Sequence, residues 1–251
     1  MLANNEFVVA KLQTLPFKNE EVKLASEQNF KYLLSESTQL IEILKKQQLH
    51  EEKIPLAKRK NLRIGICFNG RQTPGGNPII EGLYRFTRTN NSTLLGFVAG
   101  AVGLFKGQVI EITASNFEFY ANQGGYHFLG RSQDKIRTKE ELEKTRASCQ
   151  KLALDGLVLI GASHTFTDAL ILSNYFLEQK VATRIICVPA TIDNNIGHHM
   201  LETVVGFDTA SKVYSQLIGN IMIDAASAIK YWYFIRLMGR DPSHLVLECA
   251  L

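Results

Sequence analysis

The sequence lacks closely spaced cysteines and long apolar runs. Its four cysteines are far apart in 251 residues and form no Cys-x-x-Cys pair, which disfavours disulfides and a cysteine-ligated metal. No apolar run reaches the ~20 residues that cross a bilayer, and no apolar leader with a cleavage site is visible. We therefore expect buried free thiols, a cytoplasmic location and no contact with a membrane. The cysteines are Cys67, Cys149, Cys187 and Cys249.

Two further absences narrow the class of ligand. No Gly-x-Gly-x-x-Gly run is present, so a dinucleotide site, and with it a nicotinamide-dependent oxidoreductase, is disfavoured. Strong charge is also missing, because the net charge is +4 with a pI ≈ 8.8 and the basic residues are scattered. This balance suits a small anionic ligand but is too weak to indicate nucleic acid.

Apolar runs alternate with helical patterns along most of the chain. After a helical arm over residues 20–52, short apolar runs alternate with amphipathic segments. This alternation predicts an α/β fold with a doubly wound, mostly parallel sheet in three layers. A capping box at Thr138 and Glu141 begins one of the helices. The predicted strands are 62–68, 93–98, 109–113, 157–160, 184–188 and 232–237, and the main helices start near 77 or cover 138–153, 168–175 and 207–230.

A glycine-rich loop follows the first predicted strand. Gly70 and Gly75 lie in it, before a helix that starts with Pro78 near its first position. A strand, a glycine-rich loop and a helix can hold phosphate on backbone N–H groups. The loop is not a Walker motif, because Gly76 and Asn77 replace the lysine and the hydroxyl. A turn that merely needs glycines is the alternative.

A second candidate loop follows the strand 184–188, which we expect to stop at Pro189. Asp193 can take a proton from a substrate hydroxyl there, and Thr191 can hold a phosphoryl oxygen. A capping aspartate that orders the turn is the alternative. Arg240, at the end of the last predicted strand, can bind a phosphate in bidentate fashion or form a surface ion pair.

Other polar loop residues are weaker candidates. His164 follows the strand 157–160, and a loop histidine of this kind is more often solvated or packed than catalytic. We expect Arg131 to be a solvated loop residue. His198 and His199 are adjacent, with no further ligand at metal spacing, so no metal site is predicted.

Three motifs in order resemble the phosphofructokinase family, from about residue 63 to residue 251. They are Thr-Ile-Asp-Asn at 191–194, Glu-Thr-Val-Val-Gly-Phe-Asp-Thr-Ala at 202–210 and Leu-Met-Gly-Arg at 237–240. The closest types are the long pyrophosphate-dependent enzymes and their non-catalytic alpha subunits. The resemblance implies phosphoryl transfer from ATP or pyrophosphate to fructose 6-phosphate. It also implies an N-terminal arm 1–60, a first lobe 61–230 and the start of an incomplete second lobe at 231–251.

The same resemblance assigns roles to residues. Asp193 is the implied general base, Thr191 a phosphoryl contact and Gly70 a backbone donor. Met238, Gly239 and Arg240 form the implied sugar-phosphate segment.

The phosphoryl-donor side departs from the family pattern at several positions. Arg71 replaces a glycine, Ser163 stands where an aspartate binds Mg²⁺, and Asn195 replaces an aspartate; His164 fits neither donor class. We therefore expect fructose 6-phosphate to bind, a weakened ATP or pyrophosphate site and no metal at Ser163. A regulatory subunit that joins a catalytic homologue, or self-associates, is the favoured interpretation. A working enzyme with an altered donor site is the alternative.

Overall fold

The computed structural model describes residues 61–196, 204–239 and 244–251. All of them belong to the compact unit Leu56–Leu251. The predicted arm over residues 1–60 lies outside the described residues, so its assignment stays a prediction. Within the described part, no helix is long and apolar enough to cross a membrane.

Six strands form one sheet in the order β3-β2-β1-β4-β5-β6. All neighbouring pairs are parallel except β2 and β3, which are antiparallel. Because β1 lies next to both β2 and β4, the direction of winding reverses between β1 and β4. Open α/β sheets bind their ligands at the carboxyl ends of strands at such a reversal. The strands are β1 (Arg63–Phe68), β2 (Thr93–Phe97), β3 (Val109–Glu111), β4 (Gly156–Gly161), β5 (Arg184–Thr191) and β6 (Val205–Gly206).

Seven α-helices are present among the described residues, with one 3-10 turn at Glu118–Tyr120. The capping box predicted for the fourth helix is confirmed, since the Glu141 N–H donates to Thr138 Oγ1 at 3.3 Å. The helices are α1 (Gly76–Thr89), α2 (Ala101–Lys106), α3 (Ala114–Phe117), α4 (Lys139–Lys151), α5 (Ser163–Glu178), α6 (Phe207–Ala228) and α7 (His244–Ala250).

Two apolar cores lie on opposite faces of the sheet. Successive residues of β1 point to different cores, as strand geometry requires: Cys67 joins one, and Ile66 and Phe68 join the other. The first core is closed by α2, α4 and α5, and the second by α1 and the segment 112–129. This arrangement gives the three layers that the alternation of strands and helices predicts.

The cysteines are free thiols, as predicted. Cys67 and Cys149 are buried in the same core. Burial raises the pKa of each to about 12. Burial likewise raises the pKa of Cys187 to about 12. Thiols that stay protonated in this way are poor nucleophiles.

Two predicted element boundaries are wrong. β5 does not stop at Pro189 but continues to Thr191, with Pro189 opposite Gly161 of β4. Proline is tolerated there because β6 pairs with β5 only at Ala190 and Thr191. The helix expected after residue 168 starts earlier, at Ser163.

The predicted strand 232–237 is also wrong. Residues 231–237 have no regular secondary structure, and Trp232 and Phe234 are 91% and 94% exposed. An apolar run becomes a strand only when a neighbouring strand satisfies its backbone groups. Within the described residues no strand pairs with this run.

Candidate functional site

The candidate site lies at the carboxyl ends of β1, β4 and β5. Three loops meet there: residues 69–75 before α1, the start of α5, and residues 191–196 after β5. The loop after β1 contacts the end of β4, since the Asn69 N–H donates to Ile160 O at 2.9 Å. Thr165 Oγ1 of α5 also lies 3.4 Å from Asn69 O. The sequence predicts these loops separately, and parallel pairing of β1, β4 and β5 brings them together.

The loop after β1 turns at Gly70, whose φ of +82° favours glycine. The Gly70 N–H donates to Ser132 O at 2.8 Å. The sequence-based prediction assigned this N–H to phosphate, but here it is already engaged within the protein. Arg131 Nη1 donates to Gly70 O, also at 2.8 Å. Arg131 is partly buried, so the expectation of a solvated loop arginine is wrong.

The second half of this loop is wedged between two other segments. A Cβ on Gly76 would collide with the Tyr126 ring and with Gly125 O, and one on Gly75 would collide with Val205. A Cβ on Gly206 would collide with Thr73. These glycines are therefore needed for close packing, which agrees with both the phosphate-loop and the simple-turn interpretations.

Several polar atoms beside this loop are buried without a hydrogen-bond partner within the described residues. They belong to Thr73, Asn77, Tyr126 and Ser132. Thr73 and Tyr126 are 2% and 3% exposed. A buried polar atom without a partner costs about 1–3 kcal/mol. Ordered water, an ion or a ligand normally satisfies such groups, so the space beside this loop can accommodate one of these.

Ser163 and His164 are exposed in the first turn of α5. Gly161 precedes them, and a Cβ there would collide with Asn69 O and with Thr165. The close approach places this turn against the loop after β1. The two residues thus lie where the sequence predicts the donor side. Among the described residues, none forms a hydrogen bond with the His164 ring that would support acid–base work.

A buried ion pair that sequence reasoning missed anchors α5. Arg137 Nε lies 2.6 Å from Asp168 Oδ1, and the two side chains are 33% and 2% exposed. The Arg137 N–H also donates to Glu141, next to the capping box. Asp168 is therefore a structural carboxylate, tied to the segment before α4. The only sequence signal was a charged residue on the apolar side of a helix pattern.

Thr191 and Asp193 lie together at the end of β5. Thr191 is 5% exposed, and its Oγ1 accepts the Asp193 N–H at 3.0 Å. The hydroxyl therefore orders the turn, as the structural alternative predicts, while its own O–H stays able to donate. Asp193 is half-buried, and a Cβ on Gly239 would lie 3.9 Å from its Oδ1. The structure thus brings Gly239 beside the predicted base.

Not all predicted residues can be placed. Arg240, His198 and His199 lie outside the described residues, so their roles stay predictions. Met238 is 56% exposed. It lines a cavity of about 340 Å³ between the loop after β1 and the first turns of α6. The cavity wall includes Thr73, Ile192 and Val213.

The side chains near α5 do not fit a magnesium ion. No group of three acidic, histidine or cysteine residues with metal-site geometry occurs in the described part of the chain. Ser163 is neutral, Asn195 is neutral and Asp168 is bound to Arg137. Mg²⁺ is held in proteins chiefly by carboxylates and phosphates. We therefore derive no metal-dependent step for this chain.

Comparison with known proteins identifies the family. The family model described as Phosphofructokinase matches residues 63–251. The chain belongs to the phosphofructokinase family. This finding confirms the resemblance seen in the sequence motifs and the α/β fold class.

The names of individual relatives are more specific than the family description, because they state a reaction and a subunit type. Subunit alpha 2 of pyrophosphate–fructose 6-phosphate 1-phosphotransferase from Arabidopsis thaliana is 49% identical over 191 residues, 75% of this chain and 31% of that protein. The corresponding subunit beta from Solanum tuberosum is 41% identical over 198 residues, 78% of this chain and 35% of that protein. The chain spans about a third of the length of these curated relatives.

Solved phosphofructokinases share the fold. The T-state crystal structure of Pichia pastoris phosphofructokinase matches with a TM-score of 0.60 at 23% identity, over 69% of this chain and 18% of that chain. At this identity the likeness shows the fold alone.

Proposed function

We propose that this phosphofructokinase-family chain is an alpha-type regulatory subunit or part of one. It binds fructose 6-phosphate and transfers phosphoryl groups poorly or not at all. The observation that carries the proposal is a contrast within one site, between the side that would bind the phosphoryl acceptor (the acceptor side) and the side that would bind the phosphoryl donor (the donor side). On the acceptor side, Asp193 is half-buried in an ordered turn beside Gly239. On the donor side, Ser163 is a neutral residue and the Gly70 N–H is already engaged.

The acceptor side supplies the groups that a sugar phosphate needs. The Asp193 carboxylate accepts a hydrogen bond from a sugar hydroxyl, and Thr191 retains an O–H to donate. Arg240, two positions after Met238, is proposed to hold the phosphate group through paired N–H groups. These assignments rest on the family resemblance together with the placement of Asp193.

The donor side lacks the charges that phosphoryl transfer requires. The family generally uses Mg²⁺, which neutralises phosphate oxygens during transfer. A serine at 163 and an asparagine at 195 replace groups worth several kcal/mol of transition-state stabilisation, and each ~1.4 kcal/mol is tenfold in rate. ATP or pyrophosphate is accordingly a weaker ligand than fructose 6-phosphate.

The proposed partner is a catalytic phosphofructokinase homologue or a second copy of the chain. Relatives of this chain carry both subunit names, alpha and beta. We also propose that residues 1–60 are an N-terminal arm, 61–230 a first lobe and 231–251 the start of a second lobe. A cytoplasmic location is part of the same proposal.

A working enzyme with an altered donor site is the second candidate. The feature that favours it is the retained glycine loop before α1, with Gly70 and Gly75 at positive φ. Such a loop can still meet phosphate at a helix N-terminus.

Calorimetric titration of the chain with fructose 6-phosphate, pyrophosphate and ATP, each alone, tests the proposal. Fructose 6-phosphate is expected to bind tightest, and Asp193→Asn to weaken its binding at least tenfold, because a neutral amide accepts a weaker hydrogen bond from the sugar hydroxyl than the ionised carboxylate does. Glu178→Gln is the matched control, since Glu178 is exposed at the far end of α5. Tight ATP binding with no response to fructose 6-phosphate would contradict the assignment.

A further inference from the structure

The peptide group between Gly70 and Arg71 is fixed by one side chain. Arg131 Nη1 donates to Gly70 O at 2.8 Å. The C=O and N–H of a trans peptide point in opposite directions. By holding the Gly70 carbonyl, Arg131 therefore also sets the direction of the Arg71 N–H. That N–H makes no hydrogen bond to any described residue, whereas the Gly70 N–H is engaged by Ser132 O.

Arg131 acts from a rigid support. Asn69 and Ser132 form a parallel β-bridge, and the Ala99 N–H donates to Leu129 O at 2.8 Å. Gly100, at φ +65°, lies so close to Ser132 that any Cβ would collide with the Ser132 N–H group and with Phe68 O. The segment that carries Arg131 is thus locked against the carboxyl ends of β1 and β2.

The surroundings of Arg131 strengthen its bond to the loop. Arg131 is partly buried, and a charged donor forms a shorter and stronger hydrogen bond than a neutral one. The Tyr126 ring stacks on Phe68 at 4.2 Å between centroids. Burial raises the pKa of Tyr126, and the positive charge of Arg131 opposes that rise.

We propose that Arg131 is a positioning residue that aims the Arg71 N–H at an anion, so that phosphate affinity of the loop depends on a side chain that does not touch the ligand. The inference rests on the proposed function, in which this edge of the sheet faces anionic ligands. It places the backbone donor at residue 71 rather than at residue 70, where the sequence pattern predicts it.

Pyrophosphate titration of the chain and three variants tests the inference. Arg131→Gln is expected to weaken pyrophosphate binding about tenfold, and Arg131→Lys to weaken it less because the ammonium group can still donate to Gly70 O. Arg184→Gln, which removes the same charge from an exposed position at the amino end of β5, is expected to stay within about twofold. Fructose 6-phosphate affinity is expected to be equal in all four proteins.

Amide hydrogen exchange separates positioning from direct contact. The Gly70 amide is expected to exchange faster in Arg131→Gln than in the wild type, with Arg131→Lys between them, at unchanged thermal stability. Unchanged exchange with lost pyrophosphate binding would instead mean that Arg131 touches the anion. If Arg131→Gln does not fold, Arg131→Lys carries both readouts.

Three further outcomes overturn the inference. They are a wild type that binds no pyrophosphate, an Arg131→Gln loss no larger than that of Arg184→Gln, and a parallel loss of both ligands. Failure of fructose 6-phosphate to bind the wild type contradicts the proposed function instead, and leaves the pyrophosphate series to decide the role of Arg131.

Discussion

At the scale of single residues, the sequence predicts the turn with Thr191 and Asp193 better than it predicts the contacts of the loop after β1. Thr191 and Asp193 occupy one ordered turn, as a motif of closely spaced residues must. Gly70 lies in a turn at positive φ, as the simple-turn alternative predicts, but its N–H partner, Ser132 O, is distant in the sequence. Contacts of that range depend on the fold, so no local pattern predicts them. For the same reason, the sequence does not predict the hydrogen bond from Arg131 to Gly70 O or the ion pair of Arg137 with Asp168.

The buried ion pair gives a prediction at this scale. Arg137→Met is expected to lower the free energy of unfolding by about 3 kcal/mol, because it leaves the Asp168 carboxylate buried without a partner. Asp168→Asn is expected to cost less, since Arg137 is 33% exposed and can reach water. Chemical denaturation measures both.

The exposed pair of Lys144 and Glu140, at 2.6 Å in α4, supplies the control. Lys144→Met is expected to change stability by less than about 0.5 kcal/mol. Equal losses of unfolding free energy in Arg137→Met and Lys144→Met would mean that the buried ion pair contributes no more to stability than the exposed pair does.

At the scale of helices and strands, sequence periodicity predicts most of the sheet. β1, β2, β4 and the long helix α6 lie where apolar runs and helical spacing indicate. The failures have a common cause. Apolar content does not report whether a neighbouring strand is available, so residues 232–237 and the end of β5 at Pro189 were both misjudged.

Alanine substitutions at two glycines separate the effect of a tight contact between loops on stability from the effect of helix propensity. Gly161→Ala is expected to destabilise the protein by about 1–3 kcal/mol, because its Cβ would collide with Asn69 O where the loops after β4 and β1 meet. Gly82→Ala in α1 has nothing within 4 Å of the new methyl group. It is expected to stabilise by about 0.5–1 kcal/mol through helix propensity.

Thermal unfolding of the two variants checks this pair. A Gly161→Ala protein as stable as the wild type would show that the two loops are not in tight contact.

At the scale of the whole molecule, the described surface carries a large apolar area. It runs along α6 and the segment after it, with side chains that are more than half exposed: Leu217, Met222, Ile223, Trp232 and Phe234. Large apolar side chains exposed in this number along two consecutive segments favour association. Helical spacing predicts the apolar side of α6, but not that it lies exposed in this chain.

We expect the isolated chain to associate with itself or with a homologue. In sedimentation experiments, the double change Trp232→Ser with Phe234→Ser should shift the population toward monomer. Phe119→Ser, which alters a 77% exposed side chain elsewhere, should not. A stable monomer of the unmodified chain at all concentrations, both alone and mixed with a catalytic homologue, would contradict the proposed partnership.

The central claim is that the acceptor side is retained and the donor side is degraded. The most direct test is phosphotransfer from pyrophosphate and from ATP to fructose 6-phosphate, by the chain extended to the length of its family relatives and purified free of homologues. We expect little or no turnover, a partial gain from Ser163→Asp, and a larger gain when Arg71→Gly and Asn195→Asp are added, because groups that act as a unit are not additive. Asp193→Asn should then remove the activity gained. Robust turnover by the unmodified chain that is lost on Asp193→Asn would contradict the regulatory assignment and establish the chain as an enzyme.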